Sequence, residues 1–167
     1  MQGNEAKDQQ LITLLQQLQP GFVPYDIFVQ LARIVALPIF EVVPLRAHNG
    51  RIEVLLLPRD KDDPIWPSQI HTPGTVVRAT DVGDQAGILQ RIVTDELNGT
   101  NIGELHFVCN MLHQSKRGAE QAQVYWAEVS EEPKSGTFYD VDNLPENVID
   151  SQREFIAQAV EKYKEQL

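Results

Sequence analysis

The chain has 167 residues, 42% of them apolar, which is enough for one hydrophobic core. We expect no membrane span and no secretory signal, because no apolar run approaches about 18 residues and the N-terminus lacks a basic stretch followed by an apolar one. The net charge of −10, without a basic stripe, argues against nucleic acid as a partner. Because Cys109 is the only cysteine, no intrachain disulfide can form, and a cytoplasmic location is expected.

Two helices are predicted before residue 37. The first, over residues 8–19, ends at Pro20-Gly21 and carries four leucines at helical spacing: Leu11, Leu14, Leu15 and Leu18. The second begins near Pro24, stops before Pro38 and has an apolar face made of Ile27, Phe28, Leu31, Ile34 and Val35. These helices indicate an N-terminal extension over residues 1–36, either packed on the core or used for self-association. We expect the leucine stripe to be covered by a second copy, making a homodimer.

The remaining residues, 37–167, predict one α/β domain. Two apolar, β-branched segments, 40–45 and 52–57, flank Asn49-Gly50, which suits a tight hairpin turn. Further strands are predicted over 75–79, 102–113, 121–130 and 137–141, with helices over 84–97 and 150–165. Strands with helices between and after them favour a mixed sheet covered by helices on both faces.

The helix predicted over residues 84–97 carries charged side chains along one edge. Arg91 and Asp95 are four residues apart and can pair on its surface, with Glu96 beside Asp95. Carboxylate oxygens are ligands that Mg²⁺ and Mn²⁺ prefer, and a metal held there could neutralise a diphosphate while water attacks phosphorus. An ordinary surface ion pair is the alternative that the spacing leaves open.

The order of motifs around this helix resembles that of the Nudix hydrolases. The Nudix box runs from a glycine through a glutamate to an arginine followed by a second glutamate, an aliphatic residue, two acids and a final glycine. Its counterparts here are Gly74, Arg91, Val93, Asp95, Glu96 and Gly99. The likeness covers about residues 37–165 and implies a Nudix-like α/β/α sandwich with a mixed sheet and an added N-terminal helical pair. It also implies Asp95 and Glu96 as metal ligands, with Arg91 as the catalytic residue that orients them.

The box is degenerate in this chain. Ile92 replaces the acid after the arginine, and Thr80 stands where the spaced glutamate should fall. The interval from the leading glycine to the arginine is also three residues longer than the box allows. Asp81 and Asp84 are the candidates to substitute for the spaced glutamate.

Two functions follow from the degenerate box. Loss of one carboxylate weakens metal binding and misplaces the attacking water, which predicts a weakly active or catalytically silent protein that binds a nucleotide-like ligand or a protein partner. The alternative is a Mg²⁺- or Mn²⁺-dependent hydrolase of a nucleoside diphosphate linked to another group, such as ADP-ribose. In the silent case no cofactor is expected, and Mg²⁺ should bind only weakly at Asp95 and Glu96.

Three further residues are candidates for contact with the ligand. Trp66 could stack on a base or simply pack in the core. Arg78 could hold a phosphate or face solvent from its strand. Glu120 begins a strand in a region where the family often has an extra acid, with a plain surface glutamate as the alternative.

Overall fold

The computed structural model describes the backbone of residues 2–167 and the side chains from residue 5 onward. These residues form four α-helices: α1 (Gln2–Leu15), α2 (Tyr25–Ala32), α3 (Gln85–Asp95) and α4 (Asp150–Lys164). The strands are β1 (Leu37–His48), β2 (Arg51–Pro58), β3 (Ile70–His71), β4 (Gly74–Val76), β5 (His106–Gln114), β6 (Ala119–Glu128) and β7 (Thr137–Asp140). No helix within residues 2–167 combines the length and apolar character needed to cross a membrane.

The strands form one mixed sheet centred on β1. β1 pairs antiparallel with β2 and β4 and parallel with β6, and β5 closes the sheet at one edge. The β1–β2 hairpin turns at Asn49 and Gly50, whose φ angles of 50° and 76° are the positive values of a tight hairpin turn. The predicted hairpin and mixed sheet are therefore confirmed.

Helices cover the sheet on both faces. Alternate residues of β1 point to opposite sides, so that Phe40 and Val42 pack with α3 while Ile39 and Val43 pack with α4. On one side α3 contributes Ile88 and Ile92, and on the other α4 contributes five core residues, Phe155, Ile156, Ala159, Val160 and Tyr163. This is the predicted Nudix-like α/β/α sandwich.

The two N-terminal helices differ in how they are placed. Ala32 of α2 is buried in the α4-side core, and Phe28 packs against that core. Any side chain at Gly118 would overlap the carbonyl oxygen of Ala32, so the turn between β5 and β6 lies directly against the end of α2. In contrast, Leu11 and Leu14 of α1 are exposed, at 56% and 53%. The division of the chain at residue 36 stays a prediction.

Several predicted element bounds are wrong. The first helix begins at Gln2 and ends at Leu15, so Leu18 lies beyond it. The second ends at Ala32, which leaves Ile34 and Val35 exposed after its end rather than on a packed face. The strand predicted over 75–79 stops at Val76, and a 3₁₀ turn, Ala79–Asp81, follows.

Candidate functional site

A cavity of about 630 Å³ lies between the chain segment around α2 and the central sheet. β1 and β4 form its floor, and the end of α3 and the start of α4 add side chains to it. Two of its carboxylates, those of Glu41 and Glu96, meet at Gly74. Gly74 opens β4 directly opposite Glu41 of β1 in the sheet register.

Glu41 is a buried acid in the middle of an apolar strand. Its carboxylate accepts a hydrogen bond from the Thr72 hydroxyl at 3.0 Å and a longer one from the Gln152 amide at 3.4 Å. A side chain at position 74 would overlap this carboxylate, so any residue larger than glycine there would displace Glu41 from its present position. Burial, and then repulsion from Glu96, raise the pKa of Glu41 to about 8. Glu41 is therefore mostly a neutral acid at pH 7.

Glu96 follows the last residue of α3 and turns toward the same glycine. Its carboxylate accepts a hydrogen bond from the backbone N–H of Gly74 at 2.9 Å. Burial raises the pKa of Glu96 to about 7, against the opposing effects of that hydrogen bond and of Arg59. The two acids thus stand together in a mostly buried corner of the cavity, where ionisation of both at once is unfavourable.

Cations and an aromatic ring form the neighbouring part of the cavity. Trp66 is only 6% exposed, and the guanidinium groups of Arg59 and Arg117 lie 5.6 and 5.0 Å from its ring centre. Arg117 also pairs with Glu120 at 2.7 Å, whereas Arg59 reaches Asp63 only at 3.7 Å. Trp66 therefore packs within the wall, and Arg59 is the cation less engaged by a carboxylate.

The residues predicted for ligand contact all line the cavity. Trp66, Arg78 and Glu120 border it, as does Glu96 of the predicted catalytic set. Glu120 is buried against Arg117, so the alternative of a plain surface glutamate is wrong. The structure thus brings four predicted residues together around one space.

Arg91 and Asp95 do not join this group. Arg91 donates two hydrogen bonds to the Asp81 carboxylate, at 3.0 and 2.8 Å, and these lower the pKa of Asp81. The predicted pairing of Arg91 with Asp95 is therefore wrong, and Asp81 is the carboxylate that faces the arginine. Asp95 is exposed and lies outside the cavity wall. Ile92 is 1% exposed, because it packs into the core under α3.

The carboxylates of Glu41 and Glu96 beside Gly74 do not suit a tightly held Mg²⁺ or Mn²⁺. Such an ion needs ionised oxygen ligands, whereas the raised pKa values of Glu41 and Glu96 favour their protonated forms near neutral pH. Among the described side chains, no three from histidine, cysteine, aspartate and glutamate come close enough to hold a metal ion. We therefore assign no reaction step to a metal here.

Sequence reasoning missed Glu41, Arg59 and Gln152. Glu41 lies in the run Phe40-Glu41-Val42, and a charged residue inside an apolar strand was the available signal, since a buried acid needs partners. Arg59 and Gln152 carried no such signal. Gln152 joins Glu41 only because α4 packs beside β1 and β4, where its amide oxygen also accepts from the Thr72 N–H at 2.9 Å.

The fold matches solved structures, several of which are named as Nudix proteins. The Nudix domain of Shewanella oneidensis NrtR, complexed with ADP ribose, aligns with a TM-score of 0.59 and 15% identity over 84% of this chain and 99% of that one. A mutT/nudix family protein from Listeria innocua aligns with a TM-score of 0.62 and 13% identity over 80% of this chain and 98% of that one. The C. elegans Ap4A hydrolase aligns with a TM-score of 0.59 and 15% identity over 78% of this chain and 99% of that one. Another structure of Shewanella oneidensis NrtR, complexed with a 27mer DNA, aligns with a TM-score of 0.60 and 15% identity over 77% of this chain and 62% of that one.

These likenesses show a shared fold. No protein-family model matches the chain, and no curated protein sequence matches it significantly. The chain is thus a Nudix-fold protein, and its chemistry has to be argued from its own side chains.

Proposed function

We propose that the protein binds a nucleotide-like ligand containing a diphosphate in the 630 Å³ cavity, and that it hydrolyses this ligand weakly or not at all. The proposal rests on where the structure places the residues at the Nudix box positions. Ile92 is buried in the core and Asp95 faces solvent, which leaves Glu96 at the cavity. Glu96 already accepts the Gly74 N–H, and the neighbouring Glu41 is mostly protonated at pH 7, so the acids at the cavity are poorly suited to positioning a metal and an attacking water.

Two arginines in the cavity wall, which also holds the carboxylates of Glu41, Glu96 and Glu120, support an anionic ligand. Arg59 and Arg78 both line the space, and the Nε of Arg59 is buried without a hydrogen-bond partner among the residues that the structure describes. Guanidinium groups suit phosphate oxygens because they present several donors in one plane. The Nudix domain of NrtR, which has the same fold, was crystallised with ADP ribose.

Titration calorimetry with ADP-ribose, followed by an assay for AMP release with Mg²⁺ or Mn²⁺, tests the proposal. We expect binding without appreciable release. Arg78→Gln should weaken ADP-ribose binding about tenfold, since it removes one charge-assisted contact. Arg33→Gln, an exposed arginine outside the cavity wall, is the control and should leave the affinity unchanged. Absence of binding by ADP-ribose and ADP would contradict the proposal.

The alternative function is a Mg²⁺- or Mn²⁺-dependent hydrolase of a nucleoside diphosphate linked to another group. It is favoured by the position of Glu96 at the cavity, while the fold is shared with the Ap4A hydrolase of C. elegans. In that case Arg91 would position the end of α3 through Asp81. Micromolar Mg²⁺ affinity that is lost in Glu96→Gln, together with rapid AMP release, would establish the alternative over the silent protein.

For partners, we propose a homodimer formed through α1. Its exposed leucines do not fold back onto their own domain, which leaves them free for a second copy. A protein partner bound elsewhere, the absence of nucleic-acid binding and a cytoplasmic location stay predictions from the sequence.

A further inference from the structure

One stretch of the cavity lining, contributed by the N-terminal segment, is mainly apolar. The segment over residues 19–35 contributes no charged side chain to the lining, and its cavity-facing residues include Phe22, Phe28 and Val35. The charged groups at the cavity, by contrast, all come from residues 41–120. The lining thus combines charged side chains from residues 41–120 with a mainly apolar N-terminal segment.

α2, which forms part of this apolar wall, is anchored to the core. Phe28 packs against the main core, and Ala32 is buried within it. Contact between the Ala32 carbonyl and Gly118 fixes the end of α2 against the β5–β6 turn. Near the rim, however, Phe22 is 76% exposed and Val35 is also exposed although both border the cavity. Apolar surface beside the anchored helix is therefore left in water.

A diphosphate and a ribose are polar and gain little from such a wall. An alkyl or aryl group would gain, because each buried methylene contributes favourably on leaving water. We propose that the natural ligand carries an apolar group linked to its diphosphate, with the diphosphate near Arg59 and Arg78 and the apolar group against Phe22 and Val35. This assignment rests on the proposed function and names the second moiety of the ligand.

The test compares two ADP derivatives that differ in this moiety alone. The hexyl ester of ADP and ADP-ribose share the same diphosphate, and calorimetry should show the hexyl ester binding about tenfold more tightly, as partial burial of its methylenes predicts. In the double variant Phe22→Ser/Val35→Ser the preference should fall to within about twofold, with ADP-ribose affinity unchanged. Ile34→Ser is the control, since Ile34 is exposed beside Val35 but does not line the cavity.

The outcomes separate this inference from the proposed function. Equal affinities for the two derivatives, or a preference that survives the double variant, would overturn the apolar subsite while leaving nucleotide binding intact. Binding of hexyl phosphate without binding of ADP-ribose or ADP would overturn the proposed function and uphold the apolar subsite. If none of these compounds binds, both are wrong. Because Phe22 and Val35 are exposed, their replacement should leave the thermal unfolding midpoint nearly unchanged, which guards against loss of fold.

Discussion

At the scale of single residues, Glu41 is the least expected feature of the molecule. An acid on β1 among apolar neighbours is tolerated because Thr72 and Gln152 both hydrogen-bond to its carboxylate. The cost of burying its charge is avoided by protonation, as its raised pKa indicates. Glu96 shares the same corner, so its ionisation makes that of Glu41 less favourable still.

This pair predicts that stability falls as pH rises through neutrality. Glu41 and Glu96 have folded-state pKa values of about 8 and about 7, above the ordinary 4.5, so the unfolded chain releases protons that the folded chain retains. The free energy of unfolding should therefore drop by about 2 kcal/mol between roughly pH 6.5 and 8. The pKa of His71 is lowered to about 4 in the folded protein, so this residue makes stability rise with pH, but only at pH values below 6.5. Urea unfolding at several pH values measures the drop.

The same experiment on Glu41→Gln assigns the effect. A neutral amide cannot ionise, so most of the pH dependence above 6.5 should disappear, and at pH 8 the variant should match or exceed the stability of the unsubstituted chain. Glu104→Gln changes an exposed glutamate and should leave the slope unaltered. A slope that persists in Glu41→Gln would mean that this carboxyl is already ionised in the folded protein.

At the scale of elements, local sequence signals predicted structure well where they sufficed alone. Asn49-Gly50 determines its own turn, and the spacing of Ile88 and Ile92 places α3 on the sheet. The partner of Arg91 was mispredicted because helical spacing shows only neighbours on the same helix. Asp81 lies across the preceding turn, and two hydrogen bonds to it outweigh one exposed contact with Asp95.

This contact predicts an asymmetry between two identical substitutions. Asp81→Asn removes the charge that Arg91 faces and should lower the free energy of unfolding by about 2 kcal/mol, because the guanidinium is left half-buried without its carboxylate. Asp95→Asn, at the exposed C-terminal end of α3, should change the free energy of unfolding by less than about 0.5 kcal/mol. Chemical denaturation of the two variants side by side provides the measurement. Equal losses of stability in the two variants would instead support the surface pair of Arg91 with Asp95 that the helical spacing suggests.

At the scale of the whole molecule, the N-terminal helices have two separate roles. α2 closes the cavity and belongs to the core through Ala32, a placement no local pattern could reveal because it depends on the distant Gly118. For α1 the sequence predicted a leucine stripe, and the structure leaves Leu11 and Leu14 uncovered.

The last prediction concerns what covers α1. If a second copy does, light scattering at tens of micromolar should give twice the 18.9 kDa mass of one chain. Leu11→Ser/Leu14→Ser should shift the protein to monomer without loss of fold, because neither side chain is buried in its own domain. Leu112→Ser, on the exposed edge strand β5, is the matched apolar control and should leave the dimer intact. A monomeric mass for the unsubstituted chain would rule out self-association and leave the stripe to a different protein.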